Sequence, residues 1–514
     1  MEPQDFVQPK NYYKTKEDFN TALMGVYQVM TNAKLYGTYI PGRLGLMADL
    51  GYSTFVNGKN CVTDYNVVAS DVHVRDYWRN FYQGIGRANM LLEAVDALDP
   101  QAEIEGLDEI VGQARFLRAF YYFMLVIRFG DIPLVLITPD SDLSEQSTMI
   151  PQTPAPDIYR WIIKEMREAA PMVRTAEQAG YGGVVNQSAV YGILARVCLY
   201  AAGKPYQMEG MYALSASFAR KVIETKFHEL NPSYDNIFYN LVRDVYDIKE
   251  CIFEVEFWGD GTGLYGSLDS QIPIGMGVAH DPNPASPTGY ITGGVRCTDV
   301  VFEYFDQEND KRFGRTVNLF TYNANGEYVK PVTPGSTVLN RFCSKFRRHE
   351  EVNQNPNKSR YATPCNWPVL RYAEVLLTYA EAVACDPENN SEMDLAFAYE
   401  CMNMVRRRGY EVPIREKNED VDFPVLSKEN LAMEIRGERV RELAYEMLRK
   451  DDLIRWGIFY EQMQYQYHML PPNNGSFYTY AKAYFGNVQQ RDVLWPIPSY
   501  ELVVNRKLKQ NPGW

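Results

Sequence analysis

Residues 261–266 read GTGLYG, a literal GxGxxG pattern that follows a strand-like segment. Such a loop can bind the pyrophosphate of a dinucleotide when a helix begins directly after it, because the first turn of the helix has free N–H groups. Here the chain continues with residues 267–273 (SLDSQIP), which are a poor helix former. The sequence therefore does not predict a dinucleotide site.

The other patterns that could support catalysis or metal binding are incomplete. None of the five histidines belongs to an HExxH motif or has a partner at ligand spacing, and the chain has no GxSxG elbow or P-loop. Asp306, Glu308 and Asp310 alternate as in a calcium loop, but Lys311 stands where an EF-hand needs glycine. We therefore expect no catalytic residue, no metal and no cofactor, and the chain is not predicted to be an enzyme. A carboxylate pair for glycoside hydrolysis stays possible, because 65 acidic residues always allow one.

Aromatic rings among polar neighbours in two loop segments are the stronger signal. Flat rings can cover the apolar face of a pyranose while Asp, Asn and Arg bind the hydroxyl groups. Half-burying one ring contributes about 1 kcal/mol, so a few rings give micromolar-to-millimolar affinity. The alternative is that these rings pack their own loops. The predicted ligand-binding residues are Tyr52, Phe55 and Tyr65 in the first segment and Trp258, Asp260, Tyr265, Asn283 and Tyr290 in the second.

Composition narrows the classes of function. The net charge of −13 disfavours binding to a nucleic-acid backbone, which needs clustered positive charge. The 38 tyrosines exceed what a core usually requires, which favours exposed rings at a ligand or partner surface. The eight cysteines form no CxxC pair and are predicted to be small buried hydrophobes.

Targeting and membrane signals are also missing from the sequence. It contains no window of about 18 apolar residues, so we expect no membrane span. Residues 1–11 have no apolar signal core, so we expect that any export signal has been removed and that Met1 is not native.

The elements that position these loops are predicted to be mostly helices. Thr15 is expected to cap the first helix, and the segment 35–71 is predicted to be a long functional loop. A strand is predicted at 251–257, a glycine- and proline-rich loop at 258–294, short strands at 318–348 and an irregular tail at 465–514. The further helices are predicted at 71–98, 104–129, 155–170, 187–202, 212–225, 370–384, 392–408 and 428–456.

The most highly charged stretch, 434–457 (EIRGERVRELAYEMLRKDDLIRWG), is interpreted as structural. Its apolar residues follow a helical period, and Glu446–Lys450 and Asp451–Arg455 are spaced to pair on the helix surface. Surface ion pairs of this kind contribute little each. We expect the charges to hold one helix against its neighbours.

Seven segments in order resemble the SusD/RagB family of glycan-binding outer-membrane lipoproteins. Each segment alone is weak, but the order runs from residue 13 to residue 514. Lys450, Asp451, Met447 and Trp514 depart from the family pattern at scaffold positions. The segments are 13–27 (YKTKEDFNTALMGVY), 78–89 (WRNFYQGIGRAN), 113–123 (QARFLRAFYYF), 129–135 (FGDIPLV), 370–377 (LRYAEVLL), 434–457, and 494–498 (LWPIP) with 510–514 (QNPGW).

The resemblance implies a helical fold of four tetratricopeptide-like helix pairs in a single unit spanning 1–514. The scaffold is expected at about 12–35, 71–230 and 366–460, and ligand-side segments at 36–70, 231–365 and 461–514. It also implies attachment by an N-terminal lipid to the outer face of a Gram-negative outer membrane, and a partner, the SusC-type TonB-dependent transporter. The glycan-contacting residues of the family vary, so no site residue is carried over.

The favoured hypothesis is a non-catalytic surface protein that captures an oligosaccharide or polysaccharide and delivers it to that transporter. Two alternatives stay open: a glycoside hydrolase on a helical scaffold, and a tetratricopeptide-type scaffold that binds a peptide. The sequence does not distinguish which glycan is bound.

Overall fold

A computed structural model gives the structure of the protein and describes residues 13–55, 61–99, 103–138, 149–259, 269–281, 288–329, 341–352, 361–471 and 476–514. Most of these residues lie in helices, as predicted. In chain order the helices are α1 (Lys16–Thr31), α2 (Tyr39–Gly42), α3 (Val72–Asp96), α4 (Leu107–Phe129), α5 (Ala155–Ala169), α6 (Ala176–Ala179), α7 (Gln187–Ala202), α8 (Met211–Glu224), α9 (Tyr234–Val242), α10 (Ile272–Met276), α11 (Asp299–Glu303), α12 (Arg312–Thr316), α13 (Tyr372–Cys385), α14 (Glu392–Gly409), α15 (Lys428–Leu443), α16 (Arg449–Trp456), α17 (Phe459–Met469), α18 (Ser476–Gly486) and α19 (Ser499–Val504).

The strands are short and form two-stranded antiparallel pairs: β1 with β5, β2 with β3, β4 with β8, and β6 with β7. The predicted strand at 251–257 is confirmed, and all five residues of β4 are buried. Short 3₁₀ or π turns occupy Ala33–Gly37, Ala48–Leu50, Val62–Asp64, Ala170–Met172, Arg348–Glu350 and Gln490–Val493. The strands are β1 (Gly51–Ser53), β2 (Ile132–Pro133), β3 (Gln152–Thr153), β4 (Cys251–Val255), β5 (Val295–Cys297), β6 (Thr321–Tyr322), β7 (Tyr328–Val329) and β8 (Trp367–Arg371).

At the start of several helices, the side chain of the preceding residue accepts a hydrogen bond from a backbone N–H of the first turn. Thr15 and Asp18 form a capping box at the start of α1, which confirms the predicted cap. The Asp71 side chain accepts one backbone N–H at the start of α3, and the Asn186 side chain does so at the start of α7. The predicted starts of these helices are therefore correct to within a residue.

Helices that follow one another in the chain pack side by side: α3 with α4, α4 with α5, α7 with α8, and α13 with both α14 and α15. One continuous apolar core runs through these pairs. This is the tetratricopeptide-like packing that the sequence predicted.

Helix α4 lies at the centre of this core. By length and composition it could cross a membrane, whereas the sequence analysis expected no such segment. However, 83% of its most apolar window is buried inside the protein, and a core helix passes the same test. The helix is therefore only weak evidence for a membrane span.

The segment 35–71 is not the open loop that the sequence predicted. Its described residues contain the short turns at Ala48–Leu50 and Val62–Asp64, the helix α2 and the strand β1. Most of its side chains are buried. The pairing of β1 with β5 ties it to a segment about 240 residues away in the chain. Because this packing depends on distant residues, the local glycines and tyrosines could not reveal it.

The predicted helix 428–456 is two helices, α15 and α16. Tyr445 and Met447, between them, have φ values of 62°, in the left-handed region, which breaks the helical path. The predicted surface pairs are therefore wrong. Instead Glu446 binds Arg371 at 2.8 Å and Asp451 binds Arg128, and all four side chains are buried.

The tail is also more regular than predicted, because α17, α18 and α19 lie within the described part of 459–514. Aromatic rings of this region pack inward. The Trp495 ring lies 5.1 Å from Tyr77 and 5.8 Å from Phe129, both on the central helices. The aromatic ring of Trp495 in this tail therefore contributes to the core.

Candidate functional site

Two of the predicted ligand-binding tyrosines are core residues. Tyr52, on β1, is fully buried, and Tyr65 is 4% exposed. The Tyr65 hydroxyl donates to the carbonyl of Gly45, and its ring packs against Tyr484 at 5.1 Å. Neither ring has a face on which a sugar could stack, so the prediction is wrong for both. Their role is to fix the segment 35–71 in place.

Phe55 lies at an accessible position beside these two. Its half-buried ring lies against Gly294, where a side chain would collide with it. The Arg43 guanidinium lies 4.6 Å from the ring centroid, a cation–π distance. Phe55 and Arg43 thus form one wall of a cavity of about 120 Å³.

Tyr290 lines the same cavity, which we call the Phe55 cleft. Its ring meets that of Tyr361 edge-on at 5.5 Å, and Tyr361 is 51% exposed. Gln271 and Thr292 supply polar groups to the lining. The structure therefore brings Phe55 and Tyr290, predicted from different segments, to one concave surface.

A larger cavity lies at the end of β4. It measures about 680 Å³, within the range of small-molecule sites, and we call it the Trp258 groove. Trp258 lines it and is 65% exposed. Tyr181 and Tyr246, whose rings meet edge-on at 5.3 Å, form the aromatic part of the wall. The outer face of α1, with Met24 among its residues, closes the other side.

Three carboxylates line the Trp258 groove: Asp244, Glu254 and Glu256. The Tyr246 hydroxyl donates to Glu256 at 2.6 Å, and the Asn366 amide donates to Asp244 at 3.1 Å. Burial raises the pKa of both carboxyls, and these hydrogen bonds oppose the rise. Both groups can therefore accept further hydrogen bonds from a polyhydroxylated ligand.

Glu254 has the most perturbed environment of the three. Neither oxygen of its carboxylate has a hydrogen-bond partner within the described ranges, and both are buried. Burial raises the pKa of Glu254 to about 8; the nearby Asn366 amide opposes the rise, and the charges of Glu256 and Asp244 add to it. Glu254 is therefore mostly protonated at neutral pH.

Glycines shape the groove wall opposite these carboxylates. A side chain at Gly183 would collide with the carboxylate of Glu256, and one at Gly182 would meet Glu254 and the Cys251 carbonyl. The carbonyl of Gly182 also accepts the Glu254 N–H at 3.0 Å. At Gly182 the close approach of this loop to β4 therefore leaves no room for a Cβ, whereas at Gly183 an added Cβ would displace the Glu256 side chain.

Asp260, Tyr265 and Asn283, the other predicted site residues, lie outside the described residues. The sequence analysis missed Tyr246, Glu254 and Tyr361. The alternation in residues 251–257 places Glu254 and Glu256 on one face of the strand, so it could have marked them as a pair of carboxylates, but it did not indicate that Glu254 is buried. Nothing local marked Tyr246 or Tyr361.

No histidine has a partner at ligand spacing in the sequence, but the fold brings Cys61, Asp71 and His73 together. Their three possible ligand atoms lie within 4.8 Å of one another. The ten-residue gap between Cys61 and Asp71 matches none of the motifs considered, so spacing alone did not reveal the cluster.

Two family models match the chain. The model described as the SusD family matches residues 249–514, and the one described as starch-binding associating with outer membrane matches residues 5–199. A SusD-like protein of Formosa agariphila is 26% identical, over 100% of this chain and 95% of its own length.

Solved structures share the fold. A SusD homolog from Bacteroides thetaiotaomicron superimposes with a TM-score of 0.86 at 24% identity, covering 98% of both chains. A laminarin-binding SusD-like protein superimposes with a TM-score of 0.72 at 22% identity, covering 98% of this chain and 100% of that one.

Proposed function

This chain belongs to the SusD family, and we propose that it captures an oligosaccharide or polysaccharide without cleaving it. The observation that carries the proposal is the exposed Trp258 ring beside carboxylates in a 680 Å³ groove. An aromatic face can stack on the apolar face of a pyranose, while Glu256 and Asp244 accept hydrogen bonds from its hydroxyls. The groove offers both kinds of contact within one cavity.

The Phe55 cleft is a second contact surface in this proposal. Its volume of about 120 Å³ is small for a complete site, so it suits one part of a longer chain. A backbone contact joins the segment that carries Trp258 to the segment that carries Tyr361. Gly259 packs against the backbone of Thr363 and Pro364, two residues after Tyr361. A glycan of several units could contact Trp258 and Tyr361 together.

The cellular setting is part of the proposal. We place the protein on the extracellular face of the outer membrane, attached by an N-terminal lipid, where it passes its ligand to a SusC-type TonB-dependent transporter. The family description of outer-membrane association supports the location. A pull-down of the transporter with the tagged, lipidated protein from its native membrane tests the partner.

Calorimetry against a glycan panel tests binding. Trp258→Ala should weaken the best ligand of the panel about tenfold, because it removes a stacking face of about 1 kcal/mol or more. Tyr465→Ala is the matched control, since Tyr465 is 47% exposed and lines neither cavity. Equal affinity of the two variants would contradict the proposed site, and a panel without any ligand would contradict the function.

One observation favours the glycoside hydrolase alternative. A glutamic acid that is protonated at neutral pH and lies beside other carboxyl groups is typical of a general acid in a glycosidase. However, both oxygens of Glu254 are buried, so a glycosidic oxygen cannot reach them without a rearrangement of β4. Incubation with the bound glycan, followed by analysis for shorter products, distinguishes the two functions, and turnover would support the hydrolase.

A further inference from the structure

The side chains of Cys61, Asp71 and His73 come together at the start of α3. None of the three lines the Trp258 groove or the Phe55 cleft. The Cys61 sulfur lies 3.8 Å from Nδ1 of His73, and this nitrogen lies 3.2 Å from Oδ1 of Asp71. Cys61 and Asp71 are buried, and the His73 side chain is 12% exposed. The three ligand atoms thus lie within 4.8 Å of one another at a place that is nearly closed to water.

The two distances, 3.8 and 3.2 Å, lie within about 0.2 Å of the edge lengths of a tetrahedral zinc site. With metal bonds of about 2.3 Å to sulfur and about 2.0 to 2.2 Å to nitrogen and oxygen, the ligand atoms lie about 3.3 to 3.6 Å apart. Cysteine, histidine and aspartate are all ordinary zinc ligands. We propose that Cys61, Asp71 and His73 bind a divalent transition metal of the zinc class, with a fourth position open to water or to the Thr63 hydroxyl.

Hydrogen bonds hold the three side chains in this arrangement. The Asp71 carboxylate accepts the backbone N–H groups of Val62 and His73, at 2.5 and 2.7 Å. The Cys61 thiol donates to the Thr63 hydroxyl at 3.0 Å. Such outer contacts orient metal ligands.

The site has a structural connection to the Phe55 cleft. The Thr63 hydroxyl donates to the Arg43 carbonyl, and the Arg43 guanidinium lies over the Phe55 ring. A metal at Cys61 would therefore fix the segment that carries one wall of the cleft. This consequence rests on the proposed function, whereas the metal site itself does not.

A competing account needs no metal. The His73 ring can donate from Nδ1 to Asp71 and the Cys61 thiol can bind Thr63, which satisfies all three groups. The two accounts differ in whether the sulfur binds an added metal, and Co²⁺ reports this directly, because a thiolate ligand gives Co²⁺ an intense charge-transfer absorption.

The test is a Co²⁺ titration of the full chain, followed by displacement with Zn²⁺. We expect one Co²⁺ per chain with a thiolate band, displacement by Zn²⁺, and a rise in the melting temperature with Zn²⁺. Cys61→Ser should abolish the band and weaken binding more than tenfold. Cys385→Ser is the matched control, because it removes a partly buried thiol outside the cluster and should keep the band.

A second variant keeps the proposal testable if Cys61→Ser does not fold. His73→Gln retains the thiol and should weaken Co²⁺ binding more than tenfold. No Co²⁺ binding by the native chain, a thiolate band that survives Cys61→Ser, or unchanged affinity in His73→Gln would each overturn the proposal. Glycan binding is measured separately in metal-free buffer, so its failure would bear on the proposed function and not on the metal site.

Discussion

The buried glutamates Glu442 and Glu254 lie in opposite electrostatic environments, because arginines surround the first and other carboxylates lie near the second. Glu442, on α15, contacts the guanidinium groups of Arg371 at 2.8 Å and Arg408 at 2.5 Å, and all of these groups are buried. Glu254, on β4, is equally buried, but its oxygens have no hydrogen-bond partner in the described segments.

The pKa values follow this difference. Burial alone would raise the pKa of Glu438, the neighbour of Glu442, but Arg312, Arg441 and Arg406 outweigh it and lower the pKa to about 2. Around Glu254 burial dominates and raises the pKa to about 8. Glu438 and Glu442, which pair with arginines, therefore belong to the scaffold, whereas Glu254 lines the Trp258 groove and carries its proton at neutral pH.

The largest expected effect on stability comes from removing the carboxylate of Glu442, which several arginines share. Glu442→Ala leaves several guanidinium groups buried without their shared carboxylate, so we expect a loss of about 3 to 5 kcal/mol in the free energy of unfolding, measured by urea denaturation. Glu429→Ala, at an exposed position on the same helix, should lower the free energy of unfolding far less than Glu442→Ala. Similar losses for both variants would show that the network contributes little.

The contribution of Glu254 to the free energy of unfolding should instead depend on pH. Between about pH 4.5, where Glu254 ionises in the unfolded chain, and about pH 8, the folded protein holds a proton that the unfolded chain has lost. Its contribution to the free energy of unfolding therefore falls as pH rises, by up to about 1.4 kcal/mol per pH unit.

Glu254→Gln removes this titration, because the amide cannot ionise. The variant should gain stability relative to the native chain as pH rises from about 4.5 to 8, and the difference should stay constant above that range. Urea denaturation at several pH values measures it. A native chain and variant that differ by the same amount at pH 5 and pH 8 would show that Glu254 ionises normally.

A smaller effect is expected at the groove wall. Gly183→Ala should displace Glu256 and break its 2.6 Å hydrogen bond from Tyr246, weakening the glycan severalfold in calorimetry. Stability should change by less than about 1 kcal/mol, because the side chain of Glu256 can move. Gly86→Ala on α3 is the control, since nothing lies within 4 Å of the added carbon. Unchanged affinity in Gly183→Ala would place the ligand away from Glu256.

The helical scaffold could be predicted from the sequence because its signals are local. The apolar period of α3, α4 and α7 and caps such as Thr15 act over a few residues. The break between α15 and α16 was not predictable, since it depends on partners far away in the chain. The Tyr445 hydroxyl, for example, donates to the Leu50 carbonyl, 395 residues earlier.

The candidate site was predictable only in part, for the same reason. Aromatic residues among glycines indicated surface rings, and Trp258 and Phe55 do line cavities. Tyr52 and Tyr65 have the same local surroundings, yet distant contacts such as that with Tyr484 bury them. The composition of a segment indicates which aromatic residues are candidates for ligand binding, but the tertiary packing determines which of their rings face solvent.

A crystal structure with the best glycan of the calorimetric panel tests the central claim most directly. The account predicts a sugar ring stacked on Trp258, with its hydroxyls within hydrogen-bond distance of Glu256 or Asp244. A glycan bound elsewhere, with the Trp258 groove occupied only by water, would contradict it.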